Sequence, residues 1–116
     1  GVERILGASH ALKGALPSLL VACSGLSYLR QFIPNTAAAM IKEGRSDLAG
    51  LGRAAFAYPG IASAMLSGKP LEEKECCICC GKCSELMRAG TVAGCVIRDG
   101  KSYLPYYKKF VLHKEA

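Results

Sequence analysis

The sequence lacks any apolar run long enough to cross a bilayer. Its most hydrophobic stretch, ALPSLLVACSGL (residues 15–26), is interrupted by Pro17 and Gly25 and falls short of the roughly 20 residues that a spanning helix needs. The opening, GVERILGASH, carries no basic leader followed by a long apolar segment, so no secretory signal is read there. Histidine is scarce: His10 and His113 lie near the two ends without a partner motif, and both are expected in solvent. The formal net charge is +6, yet no basic face recurs at helical spacing and no aromatic stacking platform accompanies the lysines. Nucleic acid is therefore not an expected partner. These absences point to a soluble cytoplasmic protein with no membrane contact, in a compartment where thiols stay reduced.

What is present is globular in texture. Of 116 residues, 51% are hydrophobic and 21% charged, enough to build a core. Ser18–Cys23, SLLVAC, is a short continuous apolar run of the kind that forms a buried parallel strand. In FIPNTAAAMIKEG, Pro34 suits a first helical turn, Ile33, Ala37, Met40 and Ile41 share one face, and Gly44 is a stop. Asp47–Gly52 reads as a second strand. YPGIASAMLSG then reads as a second helix, opened by Pro59, lined by Tyr58, Ala62, Met65 and Leu66, and closed by Gly68. Strand, helix, strand, helix is a βαβ unit with an added helix, and the fold class expected is α/β. Two parallel strands do not make a stable sheet covered on both faces, so residues 1–70 read as part of a larger α/β architecture. Residues 71–100 form a second, cysteine-rich segment, with one or two helical turns expected in SELMRAG (84–90). Residues 101–116 form a basic aromatic tail, irregular or a short helix, with Lys101, Lys108, Lys109 and Lys114.

Six of the seven cysteines fall between positions 76 and 95. Cys76, Cys79, Cys83 and Cys95 stand at C-x2-C-x3-C-x11-C. Three thiolates from one tight loop and a fourth from farther along are suited to enclosing a cubane iron–sulfur cluster. Structural zinc more often takes two separated C-x2-C knuckles, and the second knuckle is missing here. Disulfides rank last in a reducing compartment. Cys77, Cys80, Cys83 and Cys95, at C-x2-C-x2-C-x11-C, satisfy the same logic, and spacing alone leaves both registers open. Cys23 reads as a small buried hydrophobe.

Two glycine loops complete the inventory. GLGRAA (50–55) formally fits the dinucleotide fingerprint G-x-G-x-x-A, but Pro59 places the expected helix start too late for that use. Ser24 and Gly25 follow the first strand, and Gly52 and Arg53 follow the second. That is where a (β/α)8 barrel places the backbone N–H groups that grip a phosphate, and Arg53 is suited to pairing with the same anion.

LLVACSG, DLAGLGRAAFAYP and CCICCGKC…GTVAGC, in that order, resemble the C-terminal part of the NADH:flavin oxidoreductases related to old yellow enzyme. The likeness is to the iron–sulfur branch that contains dienoyl-CoA reductase and trimethylamine dehydrogenase. The resemblance implies the last two βα units of a TIM barrel followed by a cluster-binding segment. It further implies FMN held at its phosphate by Ser24, Gly25, Gly52 and Arg53, and a 4Fe–4S cluster on Cys76, Cys79, Cys83 and Cys95, the register the resemblance favours. The activity implied is reduction of an enone or enoate with electrons derived from NAD(P)H. Two strands where eight close a barrel imply a fragment or a subunit, needing the remainder of the barrel or a partner subunit and inactive alone. A stand-alone electron-transfer module and a zinc-stabilised interaction domain are the rival expectations.

Overall fold

The computed structural model describes residues 1–114. The chain begins with a helix, α1 (Val2–Ala15), which was not expected from the sequence. It buries no residue fully; Val2 and Leu6 lean on the core. Strand β1 (Ala22–Cys23) pairs in parallel with β2 (Leu48–Ala49), in the register Ala22 to Leu48 and Cys23 to Ala49. Between them lie a short 3-10 segment (Ser27–Phe32) and helix α2 (Ile33–Lys42), with Pro34 in its first turn. After β2 come α3 (Arg53–Ala57) and α4 (Ile61–Leu66). The order strand, helix, strand, helix is thus present.

The strands are shorter than Ser18–Cys23 and Asp47–Gly52. Strand residues persist only where both sides of the ladder find partners, and Leu19, Leu20 and Leu48 are left exposed. In α2 the buried face is Ile33, Ala37 and Met40, while Ile41 is half exposed. In α4 the expected face was rotated. Tyr58 and Ile61 are buried, Met65 packs against the core, and Leu66 is 89% exposed. Helix α3 is a further correction, because a helix does begin immediately after Gly52, within GLGRAA, rather than at Pro59. The Pro59–Gly60 turn then breaks it from α4, since proline cannot supply the N–H that would carry α3 onward.

Two cores hold the molecule. The first gathers Cys23, Leu26, Ile33, Met40, Ala54, Tyr58 and Ile61, and it also takes in Leu71 and Cys76. Packing therefore carries the first unit past residue 70, into the start of the cysteine segment. Arg30 reinforces the junction by donating to the Glu73 carbonyl at 3.1 Å. The second core is Leu86 from α5 (Lys82–Arg88), Val96, and Tyr107 from α6 (Gly100–Phe110). Asp99 caps α6 by accepting from the Ser102 N–H, and the Tyr107 hydroxyl donates to Glu85 at 2.6 Å. The tail thus folds against the cysteine segment as a helix.

The shape is open. A compact chain of this mass exposes roughly 6,100 Å², whereas this one exposes 7460 Å². Its radius of gyration is 16.2 Å, against roughly 13 Å for a compact domain of this length. Exposed Ile5 and Leu12 on α1, Leu19 and Leu20 ahead of β1, and Leu48 on β2 account for part of that surface.

Asp47 ties the first unit together. Its carboxylate accepts from Lys13 Nζ at 2.8 Å and from the Val21 N–H at 2.8 Å. The Lys13 hydrogen bond, then the Val21 bond, hold its pKa below the ordinary carboxylate value. A carboxyl group with a depressed folded pKa stabilises above its unfolded value and loses that contribution as pH falls through the folded one. Thermal melts from about pH 6 to about pH 2 should show wild-type Tm dropping on the acid side. Asp47→Asn should start lower and lose less over that interval; parallel acid limbs would remove Asp47 from the account.

Candidate functional site

The loops that follow β1 and β2 lie against each other. Gly50 N–H donates to the Cys23 carbonyl at 2.6 Å, and a Cβ on Gly50 would come within 3.3 Å of the Ser24 side chain. Glycine there allows the close approach. The result is a cleft of about 600 Å³ whose wall includes Ser24, Gly25, Gly52 and Arg53 together. All four residues expected at a phosphate are thus on one surface. Ser27, Phe56, Cys83 and Met87 also contribute. The volume lies in the range of small-molecule sites.

The cysteines divide between two environments. Cys76 is 1% exposed and belongs to the first core, where its thiol donates to the Glu72 carbonyl at 3.4 Å. Its backbone is extended (φ −68°, ψ 152°), and successive side chains of an extended segment point to opposite sides. With Cys76 directed into the core, Cys77 is directed away from it. The chain then turns through Cys79 at φ +59° and Gly81 at φ +80°, and glycine accepts that left-handed geometry without strain. Helix α5 starts at Lys82, placing Cys83 in its first turn.

Cys77, Cys80, Cys83 and Cys95 line a single chamber. Cys76 and Cys79 do not line it. Of the two registers, Cys77, Cys80, Cys83 and Cys95 thus share one lining, while Cys76 of the other is held in the first core. Two backbone N–H groups point at sulfurs here: Cys79 N–H donates to Cys77 Sγ and Arg98 N–H to Cys95 Sγ, both at 3.3 Å. Burial pushes the Cys77 thiol upward in pKa, with the charge of Arg53 acting weakly the other way. Burial likewise raises Cys76, against the nearby Arg30 and Arg98.

The donor set at the chamber wall is all thiol, without carboxylate or imidazole, a set accepted both by an iron–sulfur group and by structural zinc. Among the described residues no three His, Cys, Asp or Glu side chains stand close enough to share one ion. The chamber is narrow, about 20 Å³, room for about one water. Val96 is buried on its core side, whereas Cys80 on the loop side is exposed. Any widening must come from the loop.

Arg53, Phe56 and Cys83 wall both the chamber and the cleft. The short α3 supplies the first two and α5 the third. Sequence reasoning missed Phe56 and Arg98. Phe56 carries no motif, and Arg98 was visible only as a base three residues after Cys95. His10 and His113 are exposed, and Cys23 is fully buried with the Ser46 hydroxyl donating to it at 3.4 Å. Among the described residues no helix is long and apolar enough to cross a membrane.

No family model, curated protein or solved structure matches the chain.

The two environments predict different responses to thiol removal. Cys76→Ala empties part of a packed core and should cost about 1–2 kcal/mol in urea unfolding. Cys80→Ala, at an exposed wall, should stay within about 0.5 kcal/mol. Equal costs would mean that Cys76 is not a core residue.

Proposed function

We propose that this chain carries the FMN-phosphate cleft and the 4Fe–4S loop of an oxidoreductase of the NAD(P)H:flavin, enone- or enoate-reducing type. The cluster ligands on this reading are Cys77, Cys80, Cys83 and Cys95. One observation carries it: a cleft holding all four expected phosphate residues and a chamber lined by four thiols share the side chains of Arg53, Phe56 and Cys83. When bound, the cluster supplies single-electron transfer and the flavin supplies hydride transfer.

The chain's own residues have defined parts in this. Gly25 and Gly52 let backbone approach a phosphate closely, Ser24 offers a hydroxyl, and Arg53 places a guanidinium at the boundary of both sites. Phe56 stands on the wall common to both. The N–H groups of Cys79 and Arg98 hold Cys77 and Cys95 sulfurs in place, and hydrogen bonds to ligating sulfur raise reduction potentials. The ring-binding and substrate walls belong to further barrel strands, on the same polypeptide or a partner subunit. The 7460 Å² surface and the exposed Leu19, Leu20 and Leu48 support that need. By itself the 116-residue chain should bind cofactors without turning over enones.

The test is anaerobic reconstitution of the whole chain with iron, sulfide and FMN. About four irons per chain are expected, kept in Cys76→Ala and largely lost in Cys77→Ser. Loss in Cys76→Ala with retention in Cys77→Ser would restore the first register. One zinc and no iron would replace the reading with a stapled interaction domain, and a cluster with no FMN affinity would reduce it to an electron-transfer module.

A further inference from the structure

The cations around the thiol chamber are Arg53, Lys82 and Arg98, and they are held differently. Arg53 is shared with the cleft. The Lys82 ammonium sits over the Tyr107 ring, 5.2 Å from its centroid. Arg98 is clamped: its Nε and Nη2 donate to the Cys76 carbonyl at 3.2 and 2.9 Å. Cys76 is immobilised in the first core, so the clamp fixes the guanidinium against the residue that immediately precedes Cys77. The Arg98 backbone N–H, meanwhile, donates to Cys95 Sγ. One residue thus joins the two parts of the chain that supply the chamber, which are 22 residues apart at this contact.

We propose that Arg98 is a positioning residue that sets the reduction potential of the group held by Cys77, Cys80, Cys83 and Cys95. This rests on the iron–sulfur reading of the chamber. Uptake of one electron adds one negative charge to the group. A positive charge fixed at the wall favours that reduced form and raises the potential. The bidentate anchor matters because a mobile, solvated cation would be screened, whereas a planar fork held by two bonds keeps its charge in place. Arg98 is nonetheless exposed to water, and screening limits the effect to a modest one.

The experiment is spectroelectrochemical titration of the reconstituted full chain, comparing wild type with Arg98→Gln, Arg98→Met and Arg98→Lys. Iron content and far-UV circular dichroism establish that each variant is loaded and folded. Two neutral replacements are made so that one folded example suffices. At a fixed poise the neutral variants should show a reduced-to-oxidised ratio at least about threefold lower, about 28 mV on a scale of 59 mV per tenfold change for one electron. Arg98→Lys should recover most of the wild-type value. Loaded neutral variants with wild-type potentials would overturn the role of Arg98 and leave the cluster reading standing. A wild-type chain that assembles no cluster would remove both.

Discussion

Burial of the Cys76 side chain is the constraint from which the cysteine segment takes its form. An apolar core shared with Cys23, Leu26 and Ile33 holds that thiol, and an extended backbone at the same residue sends the next side chain the opposite way. Cys77 therefore faces the chamber. The left-handed turns at Cys79 and Gly81 bring Cys80 round to the same wall, and the start of α5 adds Cys83. Only Cys95 arrives from elsewhere, and the Arg98 side chain returns to the Cys76 carbonyl to secure it. One core contact thus separates Cys76 from the four cysteines that line the chamber.

The same core places the chamber beside the cleft. Ala54 and Ala57 of α3 are buried, which turns Arg53 and Phe56 outward into the space between the two sites. Helix α3 is only five residues long, and its position comes from packing rather than from helix stability. On the proposed reading this is how the fold keeps a flavin and a cluster near each other with a single thin partition. On that reading the open sheet and surplus apolar surface belong to the same picture, a cleft built on two parallel strands being one wall of a larger enclosure.

Much of this was legible in the residues. The βαβ order, the Pro34 helix start and the Gly44 stop follow from local chemistry, as does the grouping of Ser24, Gly25, Gly52 and Arg53. The misreadings have physical causes. Strand lengths were overdrawn because an apolar run such as SLLVAC signals burial whether or not a partner strand exists to provide it. The face of α4 was misplaced because the turn at Pro59 and Gly60 resets the helical phase, so Ile61 rather than Leu66 meets the core. Spacing alone did not separate the two cysteine registers, because what distinguishes them is tertiary: Cys76 lies in the core cluster with residues of β1 and α2. Helix α1 announced itself by no capping residue, and its anchor, the Lys13–Asp47 pair, is visible only in three dimensions.

The central claim is that four particular thiols enclose one space, and differential alkylation tests it without altering the chain. The reconstituted protein and its chelator-stripped counterpart would be labelled with a small haloacetamide and mapped by mass spectrometry. Protection on reconstitution should appear at Cys77, Cys80, Cys83 and Cys95, while Cys79 stays reactive in both forms. Protection of Cys79, with Cys77 and Cys80 still labelled, would contradict the account.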